Sequence, residues 1–150
     1  MASSTPARTP LALRVWVAVT GMAGLSAAVG ALTAPASPID TLYREAPPGT
    51  DAGPFARMYA TWLALSTVTR LVYAGTPSPD GGLTAVTAAT YAVALGHFAG
   101  EIGVTRTVPL LPGGVAPLVV ASVSLVWMGV WVRQRGGRGG GGGASQRKTS

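Results

Sequence analysis

The chain has 150 residues, of which 48% are hydrophobic and only 11% are charged, and it contains no cysteine. An ordinary soluble domain is roughly 25% charged, so this composition is typical of a membrane protein, and disulfides and thiolate metal sites are excluded. The net charge of +6 does not indicate nucleic-acid binding, because five of the eleven basic residues follow residue 132. A basic segment beside an apolar run is expected to contact anionic membrane lipid or to set topology.

The first apolar run predicts a transmembrane helix. Residues 1–10 are polar and are expected to form a disordered arm, whereas 15–34 are twenty residues without a charge, enough to cross a bilayer core of ~30 Å. A signal peptide is the alternative, but its apolar core is only about 7–15 residues long. Small residues share one face of this helix and allow close helix contact. They are Gly21, Gly24, Ala28 and Ala31.

The second predicted span, 55–74, is less apolar and follows a proline-rich acidic loop at 35–54 that should lie outside the hydrocarbon. Aromatic and polar side chains recur along it at spacings of three and four, so one helical face should look into the bundle. Arg70 lies on that face, near the end of the span. We expect its guanidinium to reach the interface; the alternative is a buried pair or a partner contact.

The third and fourth predicted spans cover 83–100 and 115–132. The turn at 75–82 is short, so the second and third helices should be antiparallel neighbours. Trp127, Met128 and Trp131 end the fourth span in the manner of an interfacial aromatic belt. The Gly-rich basic segment 133–150 is expected to be a disordered tail.

These segments predict an all-α membrane protein with a four-helix transmembrane domain over 11–132. In this arrangement seven Lys and Arg residues lie on the side of the termini, whereas Arg44, Arg57 and Arg106 lie on the other. The positive-inside rule therefore places both termini in the cytosol. Glu101 ends its helix on the non-cytosolic side, so we expect it to pair with Arg57 or Arg106 and not with Arg70.

No catalytic or metal site can be assembled convincingly from the sequence. The single histidine, His97, cannot form a His-rich zinc or di-iron site, and as a haem ligand it would need a second ligand or a partner. Ser66 or Ser122 could approach it, but no GxSxG motif supports a nucleophile. We expect His97 to hydrogen-bond to a neighbouring helix or to join a network with Glu101.

Three blocks of the sequence resemble the ergosterol biosynthesis protein 28 family. They are FARMYATWLALSTVTRLVYA at 55–74, YAVALGHFAGEIGVTRT at 91–107 and PLVVASVSLVWM at 117–128. The resemblance extends over about 10–132, although the first span matches mainly in its hydropathy. The loop at 35–54 and the Gly-rich tail depart from the family pattern.

The resemblance implies a non-catalytic scaffold in the endoplasmic reticulum membrane, without a cofactor. It implies that the partners are three enzymes of sterol C-4 demethylation: the sterol C-4 methyl oxidase, the decarboxylating C-3 sterol dehydrogenase and the 3-keto sterol reductase. The family assigns no individual residue roles. Homo-oligomerisation and direct sterol binding stay open.

From pattern and resemblance together we select a set of structural or partner-contact candidates. They are Arg57, Trp62, Ser66, Arg70, His97, Glu101, Arg106 and Trp127. The competing function is a small transporter or proton-coupled carrier in which His97 and Glu101 titrate. Neither an inverted repeat nor a pair of broken helices supports it.

Overall fold

A computed structural model describes residues 8–139, and within that range the chain is helical without β-strands. The α-helices are α1 (Leu11–Thr33), α2 (Ser37–Thr41), α3 (Ala52–Gly75), α4 (Gly81–Gly100) and α5 (Val115–Gly139), and the π-helical turns are Glu101–Thr105 and Leu110–Gly114. Three segments of this range are long and apolar enough to cross a membrane: Leu11–Thr33, Gly81–Thr105 and Val115–Gly137. The predicted second span corresponds to α3, which is long enough to cross a membrane but is not one of the three segments that are also apolar enough.

Aspartate caps fix where two of the long helices begin. The carboxylate of Asp51 accepts a hydrogen bond from the Gly53 amide at 3.0 Å, and that of Asp80 accepts one from the Leu83 amide at 2.6 Å. Each bond satisfies an amide that has no partner inside its helix. The loop before α3 and the short turn before α4 are thereby held at defined positions.

Helices α1 and α3 pack closely because the predicted small-residue face of α1 lies against α3. All four of its residues are buried, and Ala28 and Ala31 contact Ala56 and Ala60 of α3. The Thr67 hydroxyl donates across the interface to the Gly21 carbonyl at 3.1 Å. The predicted role of these small residues in close helix contact is therefore confirmed.

One end of the bundle gathers the start of α1, the α3–α4 turn and the end of α5. The Thr9 amide donates to the Pro77 carbonyl at 3.0 Å, and the Arg14 guanidinium donates to the Ala74 carbonyl at 2.8 Å. Arg135 donates to the Pro79 carbonyl at 2.8 Å. These bonds hold three separate parts of the sequence together at that end.

At the opposite end the 35–54 loop folds against the segment that follows α4. It contains the short helix α2, and the Glu45 amide donates to the Thr107 carbonyl at 3.2 Å. Tyr43 from this loop is buried with Phe98 and Val108 in a hydrophobic cluster. The loop is therefore part of the packed structure rather than a simple connection.

Two predictions about the C-terminal helix need correction. Helix α5 continues to Gly139, so the predicted disordered tail does not begin at residue 133; the bond from Arg135 to the α3–α4 turn holds this extension. Residues 140–150 of that tail, and 1–7 of the predicted arm, lie outside the described residues. Met128 and Trp131 are buried in the bundle rather than forming a lipid-facing belt, whereas Trp127 is half-buried against the same cluster.

The Ser124 hydroxyl of α5 links α5 to α1 through a hydrogen bond with Trp16. Ser124 is fully buried; its hydroxyl donates to the Val120 carbonyl at 2.6 Å and accepts from the Trp16 indole at 2.9 Å. Ser124→Ala leaves the indole N–H without this partner, so we expect the free energy of unfolding to fall by about 1–2 kcal/mol. Thermal unfolding in detergent measures the change.

The matched control is Ser122→Ala, two residues away on the exposed side of α5. It should leave the melting temperature within about 1 °C of wild type, since surface changes are usually within ±0.5 kcal/mol. Equal melting temperatures for the two variants would show that the indole bond contributes nothing.

Candidate functional site

The loop end of the bundle carries an aromatic corner. We use this name for Tyr43, Phe55, Tyr59, Trp62, His97 and Phe98. Their rings contact one another edge-on, tilted or stacked, with centroid distances from 4.9 Å for Tyr43–Phe55 to 6.4 Å for Trp62–Phe98. A cavity of about 270 Å³ opens between them, lined also by Met58 and Val93. The corner therefore combines an apolar recess with a single imidazole.

The imidazole has a defined polar partner on each side. The Tyr43 hydroxyl lies 2.6 Å from His97 Nε2, and the Glu101 carboxylate faces His97 Nδ1 at 3.9 Å. A carboxylate beside Nδ1 favours the tautomer that carries its proton there, so Nε2 accepts from the Tyr43 hydroxyl. The prediction that His97 joins a network with Glu101 is confirmed, but its hydrogen-bond partner comes from the 35–54 loop rather than from a neighbouring helix.

Glu101 is held by hydroxyls rather than by arginine. It opens a π-helical turn, Glu101–Thr105, and its carboxylate accepts from Thr105 at 2.8 Å and also from Thr107. The predicted ion pair of Glu101 with Arg57 or Arg106 is wrong. Within residues 8–139 the ionisable side chain that lies within 4.0 Å of the Glu101 carboxylate is His97. The hydroxyls of Thr105 and Thr107 satisfy the carboxylate, so no long arginine side chain has to be ordered to pair with it.

Both arginines instead lie in solvent-exposed positions. Arg57 is exposed in the first turns of α3. Arg106 has a left-handed backbone, with φ of 57°, and its amide donates to the Glu101 carbonyl, which ends the π-helical turn. A left-handed conformation costs roughly 1–2 kcal/mol for a residue other than glycine.

Within residues 8–139 the polar contacts of His97 are with Tyr43 and Glu101. Neither Ser66 nor Ser122 bonds to His97 in the described chain. Residues 8–139 contain no cluster of three or more metal-binding side chains. Burial raises the pKa of the Tyr43 hydroxyl, with smaller contributions from the nearby Tyr59 and Glu101, so Tyr43 remains a neutral donor.

Alkaline pH provides a test of this buried hydroxyl. The pKa of Tyr43 is raised in the folded state above the ~10 of an unfolded tyrosine. Above pH ~10 the unfolded chain therefore loses this proton first, and folded stability falls by up to about 1.4 kcal/mol per pH unit. Tyr43→Phe should remove that part of the loss, so its melting temperature should fall less than wild type between pH ~9 and ~11.

At neutral pH the same variant should be slightly less stable than wild type, by about 1 kcal/mol, because the bond to His97 is lost. Ultraviolet titration of the phenols checks the assignment, since one tyrosine of raised pKa should disappear. Parallel loss of stability in both proteins above pH ~10 would contradict a raised pKa of Tyr43.

A second polar site lies deeper in the bundle, around Arg70. This side chain is 8% exposed. Its guanidinium lies 4.0 Å from the centroid of the Tyr91 ring, and its Nε donates to the Thr90 hydroxyl at 3.2 Å. The expectation that Arg70 reaches the interface is therefore wrong. The ring quadrupole of Tyr91 and the Thr90 oxygen hold the cation inside the bundle.

The same site extends to α1 through Thr20. The Thr20 hydroxyl donates to the Val17 carbonyl at 3.0 Å, so its remaining capacity is to accept, and the Tyr91 hydroxyl at 2.5 Å donates to it. The Arg70 contacts come from α3 and the Tyr91 contacts from α4. Three helices are thus joined by one continuous polar chain.

The predicted candidates fall into separate places. Trp62, His97 and Glu101 meet at the aromatic corner, while Ser66 and Arg70 are buried farther along α3. Sequence reasoning missed Tyr43, Thr20 and Tyr91. A signal for Tyr91 was available, because a tyrosine within an apolar span needs a partner for its hydroxyl when it is buried; nothing in the proline-rich loop marked Tyr43.

Fold and site define a class: a small helical membrane protein in which buried polar contacts join the helices. Residues 13–126 match the family described as Erg28 like protein, and the chain belongs to that family. Over 73 residues the chain is 38% identical to a protein of Saccharomyces cerevisiae named ergosterol biosynthetic protein 28. That alignment covers 49% of each protein, so the chain spans about half the length of this relative. No solved structure matches.

Proposed function

We propose that this protein acts in sterol biosynthesis as a non-catalytic scaffold of the endoplasmic reticulum membrane. The observation that carries the proposal is family membership over residues 13–126, together with the name of the yeast relative. The proposed partners are the sterol C-4 methyl oxidase, the decarboxylating C-3 sterol dehydrogenase and the 3-keto sterol reductase.

The distribution of side chains supports a scaffold better than an enzyme. Tyr43 and His97 of the aromatic corner are hydrogen-bonded to each other, and Arg70 contacts Thr90 and Tyr91 of α4 inside the bundle. The outward faces are apolar instead, and exposed residues include Val19, Leu65, Val93 and Val126. In a bilayer such faces are available to lipid or to the helices of partner proteins, which associate by packing and not by the hydrophobic effect.

We further propose that α3 is a fourth span. The start of α1, the α3–α4 turn and the end of α5 lie at one end of the bundle, as the bonds of Thr9, Arg14 and Arg135 require. If α1 and α4 both cross the membrane from that end, the chain must return between them. Because α3 joins the far end of α1 to the start of α4, it supplies the return crossing, with Ser66, Thr67 and Arg70 buried inside the bundle.

A four-span arrangement places both ends of the described chain on one side. The excess of Lys and Arg there supports a cytosolic orientation for both termini. Sequential enzymes held at one membrane patch gain effective concentration, which transfers intermediates between active sites without a new catalytic group. A scaffold therefore needs stable helix packing and accessible faces, and both are present.

The test is affinity purification of the tagged protein from membranes in mild detergent, combined with sterol profiling of cells that lack it. We expect the three C-4 demethylation enzymes to co-purify, and 4-methyl or carboxysterol intermediates to accumulate in the deletion. An unrelated tagged protein of the same membrane is the control. A purification without these enzymes, together with a normal sterol profile, would refute the scaffold.

A further inference from the structure

A groove between α4 and α5 lies at the end of the bundle opposite the aromatic corner. Its volume is about 810 Å³, within the range of roughly 300–1,000 Å³ of small-molecule sites. The first turns of α4 form one wall, with Thr84, Ala85 and Ala88, and the last turns of α5 form the other. It is therefore separate from the cavity near His97.

Glycines on both helices leave space in the groove. Gly81, Gly129 and Gly136 line it, and a Cβ added to any of the three would meet no atom within 4 Å. Leu125, Met128 and Trp131 supply the apolar floor. A narrow apolar ligand such as an acyl chain could lie here without moving the helices.

Two arginines stand at one end of this apolar groove. Arg133 and Arg135 belong to its lining, at the end of the membrane-capable segment Val115–Gly137. Arg135 is held in place by its bond to the Pro79 carbonyl, which leaves its other N–H groups available. The acidic neighbour Asp80 is engaged as the cap of α4, accepting from Leu83.

We propose that this groove binds an anionic glycerophospholipid of the surrounding membrane. An acyl chain occupies the apolar part, and the phosphate is held by Arg133 and Arg135. Basic pockets between transmembrane helices on the cytoplasmic side are suited to anionic headgroups, and two cations favour a net negative headgroup over a zwitterionic one. The proposal depends on α4 and α5 crossing the membrane and not on the scaffold role.

Native mass spectrometry of the full-length protein, delipidated in detergent, tests the proposal. Phosphatidic acid and phosphatidylcholine with the same acyl chains are titrated separately. We expect one phosphatidic acid to bind at least about ten-fold more tightly than phosphatidylcholine, because its headgroup has a net negative charge whereas the choline cation of phosphatidylcholine neutralises the phosphate. Glycerol 3-phosphate should not compete, because it lacks the chain that fills the groove. Equal binding of the two lipids would overturn the proposal.

Matched variants locate the bound lipid. The double variant Arg133→Gln/Arg135→Gln should weaken phosphatidic acid binding about ten-fold or more, whereas Arg44→Gln, in the exposed loop at the other end, should not. Gly129→Leu should fill the groove and reduce binding of either lipid. Its control is Gly96→Leu, an exposed position on α4 where an added Cβ also meets no atom within 4 Å.

The lipid-binding variants are expected to fold, since none of the altered side chains except Arg135 makes a described hydrogen bond across the bundle. Melting temperature and far-ultraviolet circular dichroism check this before binding is measured. Unchanged phosphatidic acid binding in folded Gly129→Leu and in the folded arginine double variant would place the lipid elsewhere and refute the site.

Discussion

Replacing Gly24 by leucine is expected to separate α1 from α3 and to destabilise the protein by about 3 kcal/mol or more. A Cβ at Gly24 would lie 2.8 Å from the Thr67 hydroxyl oxygen, closer than real Cβ contacts. That hydroxyl cannot simply rotate away without losing its bond to the Gly21 carbonyl, and Thr67 is β-branched and stiff. Overpacking of a tight interface commonly costs 1–3 kcal/mol, and leucine adds three further carbons.

The matched control is Gly30→Leu. Gly30 lies on the same helix, but a Cβ there would meet nothing within 4 Å. Thermal unfolding of the two variants in the same detergent separates a packing effect from a general effect of losing a glycine, which should raise helix propensity in both. A Gly24→Leu melting temperature equal to that of Gly30→Leu would contradict the close α1–α3 contact.

Removal of the Tyr91 ring is the second change with a large expected effect. Tyr91 is fully buried, contacts the Arg70 guanidinium through its ring and donates from its hydroxyl to Thr20. Tyr91→Ala leaves a cavity and an uncompensated buried cation, so we expect a loss on the order of 3–5 kcal/mol in the free energy of unfolding. Tyr91→Phe retains the ring and should lose only about 1 kcal/mol.

A double-mutant cycle with Arg70→Leu isolates the contact between ring and cation. A cation over an aromatic face in a desolvated site is worth about 2 kcal/mol. The Thr90 hydroxyl keeps its bond to the Thr87 carbonyl when Arg70 is removed, so that variant leaves no new orphan group. The double variant should therefore be more stable than the sum of the single losses predicts. Strict additivity would show that the two residues are not coupled.

These expected losses in stability arise at contacts between helices, and the sequence predicted some of these contacts but not others. The small residues of α1 could be located because a helix has a fixed period, so spacings of three and four place side chains on one face. The same argument placed Arg70 on the inward face of α3, and it is buried there together with Ser66. It did not place the Arg70 guanidinium, which we expected to reach the interface and which instead lies over the Tyr91 ring of α4.

The aromatic corner could be predicted only in part. His97 and Glu101 are four residues apart along continuous helical backbone, so their proximity follows from local geometry. In the structure His97 Nδ1 lies 3.9 Å from Glu101 Oε1. Tyr43 precedes His97 by 54 residues and comes from a loop without periodicity. Sequence spacing carries no information about such a contact.

The sequence by itself determined the helical class, the approximate positions of the long helices and the small-residue face of α1, since apolar length and helical period are local properties. Only the tertiary structure decided what each buried polar group contacts. Arg70 meets Tyr91 and not the interface, and Glu101 meets threonine hydroxyls and not an arginine. A buried polar group takes whichever donor, acceptor or ring the packed helices bring within about 3–4 Å, and that choice depends on how several helices are placed together.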